Sequence, residues 1–372
     1  MRKLLAGALA LVFLAALCGY GFWTQQRPEG HYLSDLRIEL ALNHGVPGEH
    51  GNLLGVEPLL YPGDYQNLQR LHRKLAAYLE QARAQGLISP RTVVVLPEHI
   101  GTWLWARGEK NELYQVTQSR EALQWLELSN PLRYGLAMLG ADGDDWRADA
   151  HLRMKAEQMA ADYQQLFGGL AKEFGVTLVA GSIVLPAPYV KQGVLHAGSG
   201  PLFNSSLVFA GDGSLLGQPQ RQQFPDSEMR RYVHDGRQQP LQVVQTPAGR
   251  LGVLVGSDSW YPENHQQLAQ QAVQLIANPV FLSGKGSWEA PWRGNRHQEA
   301  SAGLPLQRGE VSEQSAWQRL TEAAGASVSS MSVFMRGQFW EQASDGQGFA
   351  RQSGELLAGT PSHGARLLNL WL

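Results

Sequence analysis

A carboxylate at the end of a buried strand, in a chain with almost no thiol, sets the chemistry that this 372-residue protein could perform. Glu98 follows Pro97 after the β-branched run Thr92–Leu96, a pattern typical of a buried strand. Carboxylate side chains are among the groups that can act as general acids or bases. The only cysteine, Cys18, lies in an apolar N-terminal run. A cysteine nucleophile, a disulfide bond and a Cys-ligated zinc are therefore excluded from the rest of the chain.

Other sequence motifs of catalysis or cofactor binding are missing. The eleven histidines lack the pairing of a metal site, and His44 with His50 is better interpreted as part of a surface loop. Around Lys285, Pro279 stands where a phosphate-binding loop needs its first glycine. No G-x-S-x-G elbow is present. We predict no cofactor and no metal.

Composition narrows the class of protein further. Lys and Arg number 31 against 33 Asp and Glu, which gives a formal charge of −2 and no basic stripe, so we predict no nucleic-acid partner. Aromatic residues make up 9% of the chain, which argues against disorder. The length allows one large α/β domain or two ordinary ones.

The N-terminus has the pattern of a membrane segment. Twenty uncharged residues, Leu4–Trp23, are long enough to cross a hydrocarbon core of ~30 Å. Arg2 and Lys3 precede them, and the positive-inside rule keeps that end cytoplasmic. We predict a single-pass inner-membrane anchor over residues 1–23, with the remaining chain facing the periplasm.

Two other interpretations of this segment stay open. A cleaved signal peptide is one, although no small-X-small cleavage site stands out before Thr24. A lipoprotein modified at Cys18 is the other, although bulky Leu17 stands where a small residue is normally needed.

Helix and strand patterns alternate after a polar linker at residues 24–35, which predicts sheets layered with helices over residues 36–372. Residues 99–150 are read as an irregular, Trp-rich insertion. The predicted helices are 68–82, 151–173 and 265–274. The predicted strands are 37–42, 92–96, 176–181, 205–209, 242–245, 251–255 and 274–277.

Three segments, in order and with suitable gaps, resemble the carbon–nitrogen hydrolase (nitrilase) superfamily. They are Val94–Glu98, Asn204–Phe209 with Asp212–Gly217, and Gly252–Glu263. The resemblance implies a four-layer α-β-β-α sandwich and, by analogy with many members, a homodimer. It also implies three catalytic residues: a cysteine nucleophile, a glutamate base and a lysine that stabilises the oxyanion.

This chain departs from that catalytic triad. Glu98 matches the glutamate, either as a base or as a vestigial carboxylate kept for structure after catalysis was lost, and Glu228 resembles a supporting glutamate of many members. Alignment on Asp258, Pro262 and Glu263 places Gly256 at the cysteine, and alignment on Gly213 and Gly217 places Arg221 at the lysine. Glycine cannot be acylated, and arginine's planar fork does not replace an ammonium.

Neighbouring residues offer weak substitutes. Ser257 follows Gly256, but successive strand residues point to opposite faces, so its hydroxyl would face away from Glu98 if the strand continues through it. A turn at Gly256 could change that direction. Lys285 could restore a cation near the pocket, although a solvated loop lysine is the simpler interpretation. The insertion's tryptophans could form a ligand lid, a partner surface or plain packing; they are Trp103, Trp105, Trp125 and Trp146.

The sequence thus predicts a membrane-tethered protein of this fold that has lost the family's chemistry, a pseudoenzyme. We expect it to bind a small amide- or carboxylate-like ligand or a protein partner. The alternative is an active amidase-type hydrolase or acyltransferase with a non-cysteine mechanism, which would use Ser257 or a water activated by Glu98.

Overall fold

A computed structural model describes residues 2–294 and 306–372 and has an α/β architecture. The predicted segments 1–23 and 36–372 include Met1 and residues 295–305, which lie outside the described residues. The α-helices are α1 Arg2–Gln25, α2 Leu68–Ala84, α3 Asn111–Gln115, α4 Ser119–Ser129, α5 Pro131–Met138, α6 Trp146–Phe174, α7 Pro262–Gln270 and α8 Glu313–Leu320.

Two large sheets form the centre of the molecule. The strands are β1 Ile38–His44, β2 Asn52–Glu57, β3 Leu59–Leu60, β4 Thr92–Val95, β5 Thr177–Val179, β6 Ile183–Pro186, β7 Tyr189–Lys191, β8 Val194–His196, β9 Leu202–Phe209, β10 Leu215–Arg221, β11 Val243–Thr246, β12 Gly249–Val253, β13 Leu275–Val280, β14 Ser329–Phe334, β15 Arg336–Phe339, β16 Gln342–Ser344, β17 Phe349–Gln352, β18 Glu355–Ala358 and β19 Ala365–Trp371. One sheet has the order β1-β19-β2-β4-β5-β9-β10 with β6 beside β9, and the other has the order β11-β12-β13-β14-β17-β18.

The sheets pack face to face with helices on both outer surfaces. Val93 and Val95 of β4 lie in the core between the sheets with Val253 of β12. On the outer face of the first sheet α2 and α6 bury their apolar stripes, and α7 packs on the second sheet through Leu268. The resulting layer order is α-β-β-α, and the predicted α/β fold is confirmed.

A strong helical period explains why α2 forms where the sequence predicted it. Asn67 caps its N-terminus by accepting a 2.7 Å hydrogen bond from the Arg70 backbone N–H. The buried residues recur at helical spacing and face the core; they are Leu71, Lys74, Leu75, Tyr78, Leu79 and Ala82.

Helix α1 extends from this body with no buried residue. Its mean hydropathy is 2.2 over the best window, and it is the one helix among the described residues that is long and apolar enough to cross a membrane. By length and composition a signal sequence would also satisfy this description.

The insertion differs from its prediction. Residues 99–150 were expected to be irregular, whereas the structure forms α3, α4, α5 and the start of α6 there. Each of the first three helices spans eleven residues or fewer, a length at which a helix depends on tertiary contacts rather than on its own propensity.

Candidate functional site

The carboxyl ends of strands from both sheets meet around Glu98, which is 4% exposed. Asn204 Nδ2 donates to Glu98 Oε1 at 2.8 Å, and the backbone N–H of Phe281 donates to Oε2 at 2.8 Å. His99 Nε2 lies 3.9 Å from Oε1. The carboxyl group is therefore fixed by donors from β9 and from the loop after β13.

Gly256 lies next to this carboxyl group, at the turn that follows β12. Its φ is +56°, in the left-handed region that favours glycine. A Cβ at this position would lie 3.0 Å from each Glu98 oxygen and 2.8 Å from Gln222 Nε2. Any side chain at position 256 would thus be directed at Glu98 and Gln222.

Gln222, which directly follows β10 and which the sequence reasoning missed, contacts Glu98 with its side chain. Its Nε2 lies 3.4 Å from Glu98 Oε1, and its Oε1 accepts from Asn204 Nδ2 at 3.0 Å. Arg221 does not converge on the site: its guanidinium lies 3.8 Å from the ring centroid of Phe203. Arg221 therefore lies next to the site in the chain, but its guanidinium contacts Phe203 rather than Glu98.

Asp258 joins the two segments that carry Gln222 and Gly256. Its carboxylate accepts from the backbone N–H of Gln223 at 2.8 Å and from that of Phe224 at 2.8 Å. Asn278 holds the other side of the turn, since its Nδ2 donates to the Gly256 carbonyl oxygen at 3.0 Å. Several buried hydrogen bonds therefore fix the geometry of this turn.

Burial controls the charge state of the site. Desolvation raises the pKa of Glu98 to about 8, and the hydrogen bonds from Phe281 and Asn204 oppose the shift only partly. Burial lowers the pKa of His99 to about 4, so this imidazole is neutral near pH 7. Burial likewise raises the pKa of Asp258 to about 7.

The pKa of Glu98 makes stability pH-dependent in a defined direction. A carboxyl group with a raised pKa in the folded state contributes stability that is fully present below its ordinary pKa of 4.5 and is lost as the pH rises towards about 8. We expect this group to lower the free energy of unfolding by up to about 1.4 kcal/mol per pH unit in that window.

Denaturant unfolding of wild type and Glu98→Gln between pH 5 and 8 checks this expectation. The glutamine variant should gain stability relative to wild type as the pH rises, because it lacks the carboxyl group that must lose its proton. A difference that is constant across this range would contradict the raised pKa.

A cavity of about 320 Å³ opens beside Glu98 and Gly256. Five tryptophans contribute to its lining, together with four carboxyl side chains and no lysine or arginine among the described residues. The tryptophans are Trp103, Trp105, Trp260, Trp317 and Trp340, and the carboxyl side chains are Glu98, Asp226, Glu228 and Glu313. A ligand here would meet aromatic faces and acceptor oxygens.

The other predicted site residues have separate positions. Ser257 lines the cavity, but its hydroxyl donates to the Phe224 carbonyl oxygen at 3.2 Å. Glu228 is exposed at the rim. Lys285 is exposed and lies outside the cavity lining.

The insertion's tryptophans divide between two places. Trp103 and Trp105 line the cavity and stack on Phe339 and Trp340, with ring centroids 4.4 and 5.2 Å apart. Trp125 instead contacts the end of α1, and Trp146 is 42% exposed.

Comparisons with known proteins agree with this architecture. The carbon–nitrogen hydrolase family model matches residues 60–303, more than half of the chain. A deaminated glutathione amidase of Yersinia enterocolitica is 27% identical over 136 residues, which are 34% of this chain and 45% of that protein. An N-carbamoylputrescine amidase of Solanum lycopersicum is 25% identical over 118 residues, which are 31% of this chain and 35% of that protein. The chain spans less than half the length of these curated relatives.

Solved structures show the same fold. A carbon–nitrogen hydrolase from Helicobacter pylori G27 has a TM-score of 0.54 at 19% identity, with 86% of this chain and 88% of that chain covered. A variant of the Nesterenkonia AN1 amidase from the nitrilase superfamily has a TM-score of 0.50 at 17% identity, with 88% and 93% covered. At these identities the likeness concerns the fold alone.

Proposed function

Because the chain belongs to the carbon–nitrogen hydrolase family, we propose that it is a membrane-tethered member that binds a ligand in the cavity beside Glu98 without thiol chemistry. The observation that carries this proposal is the position that a Cβ atom at residue 256 would take. A side chain there would point at Glu98, where a nucleophile and its base have to meet, yet glycine supplies no atom that could be acylated.

The charge of the site supports the same conclusion. Hydrolysis of an amide needs a donor that stabilises the developing oxyanion. The side chain that lies next to Glu98 just after β10 is the neutral amide of Gln222, and the guanidinium of Arg221 stacks on Phe203 instead. We infer that Gln222, rather than Arg221, occupies the place of the family's lysine.

The cavity lining favours an amide-bearing ligand over a carboxylate. Glu98, whose pKa of about 8 leaves it largely protonated near pH 7, offers an uncharged carboxyl group rather than a cation that would pair with a carboxylate, and the five tryptophan faces bind neutral or cationic groups. Of the two ligand classes that the sequence left open, we therefore propose the amide.

Tethering is assigned to α1. Its 24 residues form a helix about 36 Å long with mean hydropathy 2.2, and no residue of it is buried against the body. With Arg2 and Lys3 on the cytoplasmic side, the body would lie in the periplasm.

A second candidate function is hydrolysis without a thiol. The pKa of about 8 for Glu98 is near the value that general acid–base catalysis requires, which favours a water activated by this carboxyl group. Ser257 is a poorer candidate nucleophile because its hydroxyl is engaged by Phe224.

Ammonia release from amides and N-carbamoyl compounds tests the proposal directly. We expect the purified full-length protein in detergent to match the background rate, and Glu98→Gln to be indistinguishable from it. The same compounds should nevertheless change the tryptophan fluorescence of the wild type, since five tryptophans line the cavity. Turnover that Glu98→Gln abolishes would establish the second function instead.

A further inference from the structure

We propose that an exposed row of leucines beside the end of α1 lies in the surface of the lipid bilayer. This apolar ridge consists of Leu128, Leu132, Leu136 and Leu139, which are 52%, 82%, 70% and 85% exposed. The proposal rests on the tethering of α1 proposed above, and it adds a second, peripheral contact between the body and the membrane.

The spacing of the ridge leucines places those of α5 on one side of the helix. Leu132, Leu136 and Leu139 recur at intervals of four and three residues and therefore share one face of α5 and its end. Exposed Arg133 lies on the same helix, where a cation could contact anionic headgroups. Exposed leucines together with one arginine on a short helix are compatible with a segment that lies in the membrane interface.

Contacts with α1 identify the bilayer as the occupant of this surface. The hydroxyl of Tyr20 in α1 donates to the carbonyl oxygen of Leu128, a ridge residue, at 2.6 Å. The ring of Trp23 lies 5.8 Å from that of Tyr20 and 6.4 Å from that of Trp125 in α4. Tyrosine and tryptophan are enriched where membrane helices leave the hydrocarbon.

Charged side chains also connect the C-terminal end of α1 to the insertion, close to the ridge. Lys110 Nζ donates to the carbonyl oxygens of Trp23 and Gln26 at 2.6 and 2.7 Å, which caps the C-terminal end of the helix. Arg27 pairs with buried Glu109 at 2.8 Å and donates to the carbonyl oxygen of Ser129. If α1 crosses the bilayer, these contacts hold the ridge at the membrane surface.

This placement has a consequence for the cavity. Leu123 of α4 lines the cavity, and Leu128 of the ridge follows five residues later on the same helix, about 8 Å along its axis. The ridge would therefore bring one wall of the cavity to the membrane surface.

Single-cysteine fluorescence in phosphatidylcholine–phosphatidylglycerol vesicles tests the ridge. The wild-type thiol, Cys18, reports on α1 when labelled with an environment-sensitive dye. Leu136→Cys in a Cys18→Ser background reports on the ridge. Val46→Cys in that background is the matched control, because Val46 is 77% exposed on a loop that is not in the insertion.

We expect nitroxide-labelled lipids to quench the dye at positions 18 and 136 several-fold more than at position 46. Quenching at 136 should be strongest with shallow nitroxides, as an interfacial segment lies about 5–10 Å deep. Quenching at 18 without quenching at 136 would overturn the ridge and leave the tether intact. A dye at 136 that is shielded from water but not quenched by lipid would assign the ridge to a protein partner or a second copy. Absence of quenching at 18 would refute the tether itself.

Discussion

Arg366→Met is expected to lower the free energy of unfolding by about 3–5 kcal/mol, because it leaves a buried carboxylate without its partner. Arg366 of β19 and Glu57 of β2 both have side chains that are 0% exposed, and two guanidinium nitrogens lie 2.7 and 2.6 Å from Glu57 Oε2. Glu57 Oε1 also accepts from the backbone N–H of Phe334 in the opposite sheet at 2.9 Å. The pair therefore lies where the two sheets meet.

Urea unfolding in detergent measures this loss of stability. Two further variants show whether it arises from the unpaired buried charge. Glu57→Gln combined with Arg366→Met should recover most of the stability, since no uncompensated charge remains. Arg37→Met removes an arginine of the same kind from an exposed pair with Asp35 and should change stability little. Equal losses for Arg366→Met and Arg37→Met would contradict the role assigned to burial.

The parts of the fold that the sequence predicted have strong patterns of their own. Strand β4 is a continuous β-branched run, and α2 has a helical apolar period with an N-cap at Asn67. The insertion helices lack such signals: α4 spans eleven residues and ends where Asn130 and Pro131 begin α5. Their stability depends on contacts with α1 and α6 that are distant in sequence.

Counting residues along the chain does not identify which side chain contacts Glu98. The pairing of β10 with β9 shifts register between Leu216 and Gln220, so the distance from Gly217 does not determine which side chain reaches Glu98. Gln222 lies opposite Asn204, whose carbonyl oxygen accepts from its backbone N–H at 2.8 Å. Alternation along the strand then directs the preceding residue to the other face.

The charge state of Glu98 could not be predicted from the sequence either. It depends on complete burial and on a hydrogen bond from Phe281, which is 183 residues away in the chain. The sequence could identify the carboxylate from the strand before it, but not the groups that the second sheet brings to it.

Gly256→Cys combined with Gln222→Lys is expected to form an acyl-enzyme that neither change produces alone. The new thiol would be directed at Glu98, as the position of the Cβ requires. An ammonium at position 222 would lower the pKa of Glu98 from about 8, so that the carboxylate could accept the thiol proton near neutral pH. It would also provide a donor for the oxyanion, which is worth on the order of 10²–10³ in rate.

The cysteine itself has a cost in this position. A residue with a Cβ at φ +56° is strained by roughly 1–2 kcal/mol, and Glu98 and the side chain at position 222 must move by a few tenths of an ångström. Both contacts are with the ends of side chains, which makes this shift feasible. Gly256→Ala combined with Gln222→Lys has the same strain without a thiol and is the matched control.

p-Nitrophenyl acetate provides the readout, in a Cys18→Ser background that removes the natural thiol. Attack of the thiolate on the ester carbonyl releases p-nitrophenolate and leaves an acetyl group on the protein, which intact mass spectrometry detects. We expect a burst of about one equivalent from the Gly256→Cys, Gln222→Lys protein, and none from the alanine control. Replacing Gln222→Lys by Arg221→Lys should give no gain over Gly256→Cys alone, because Arg221 faces Phe203 rather than Glu98. An equal gain from Arg221→Lys would return the lysine position to Arg221 and overturn the assignment of Gln222.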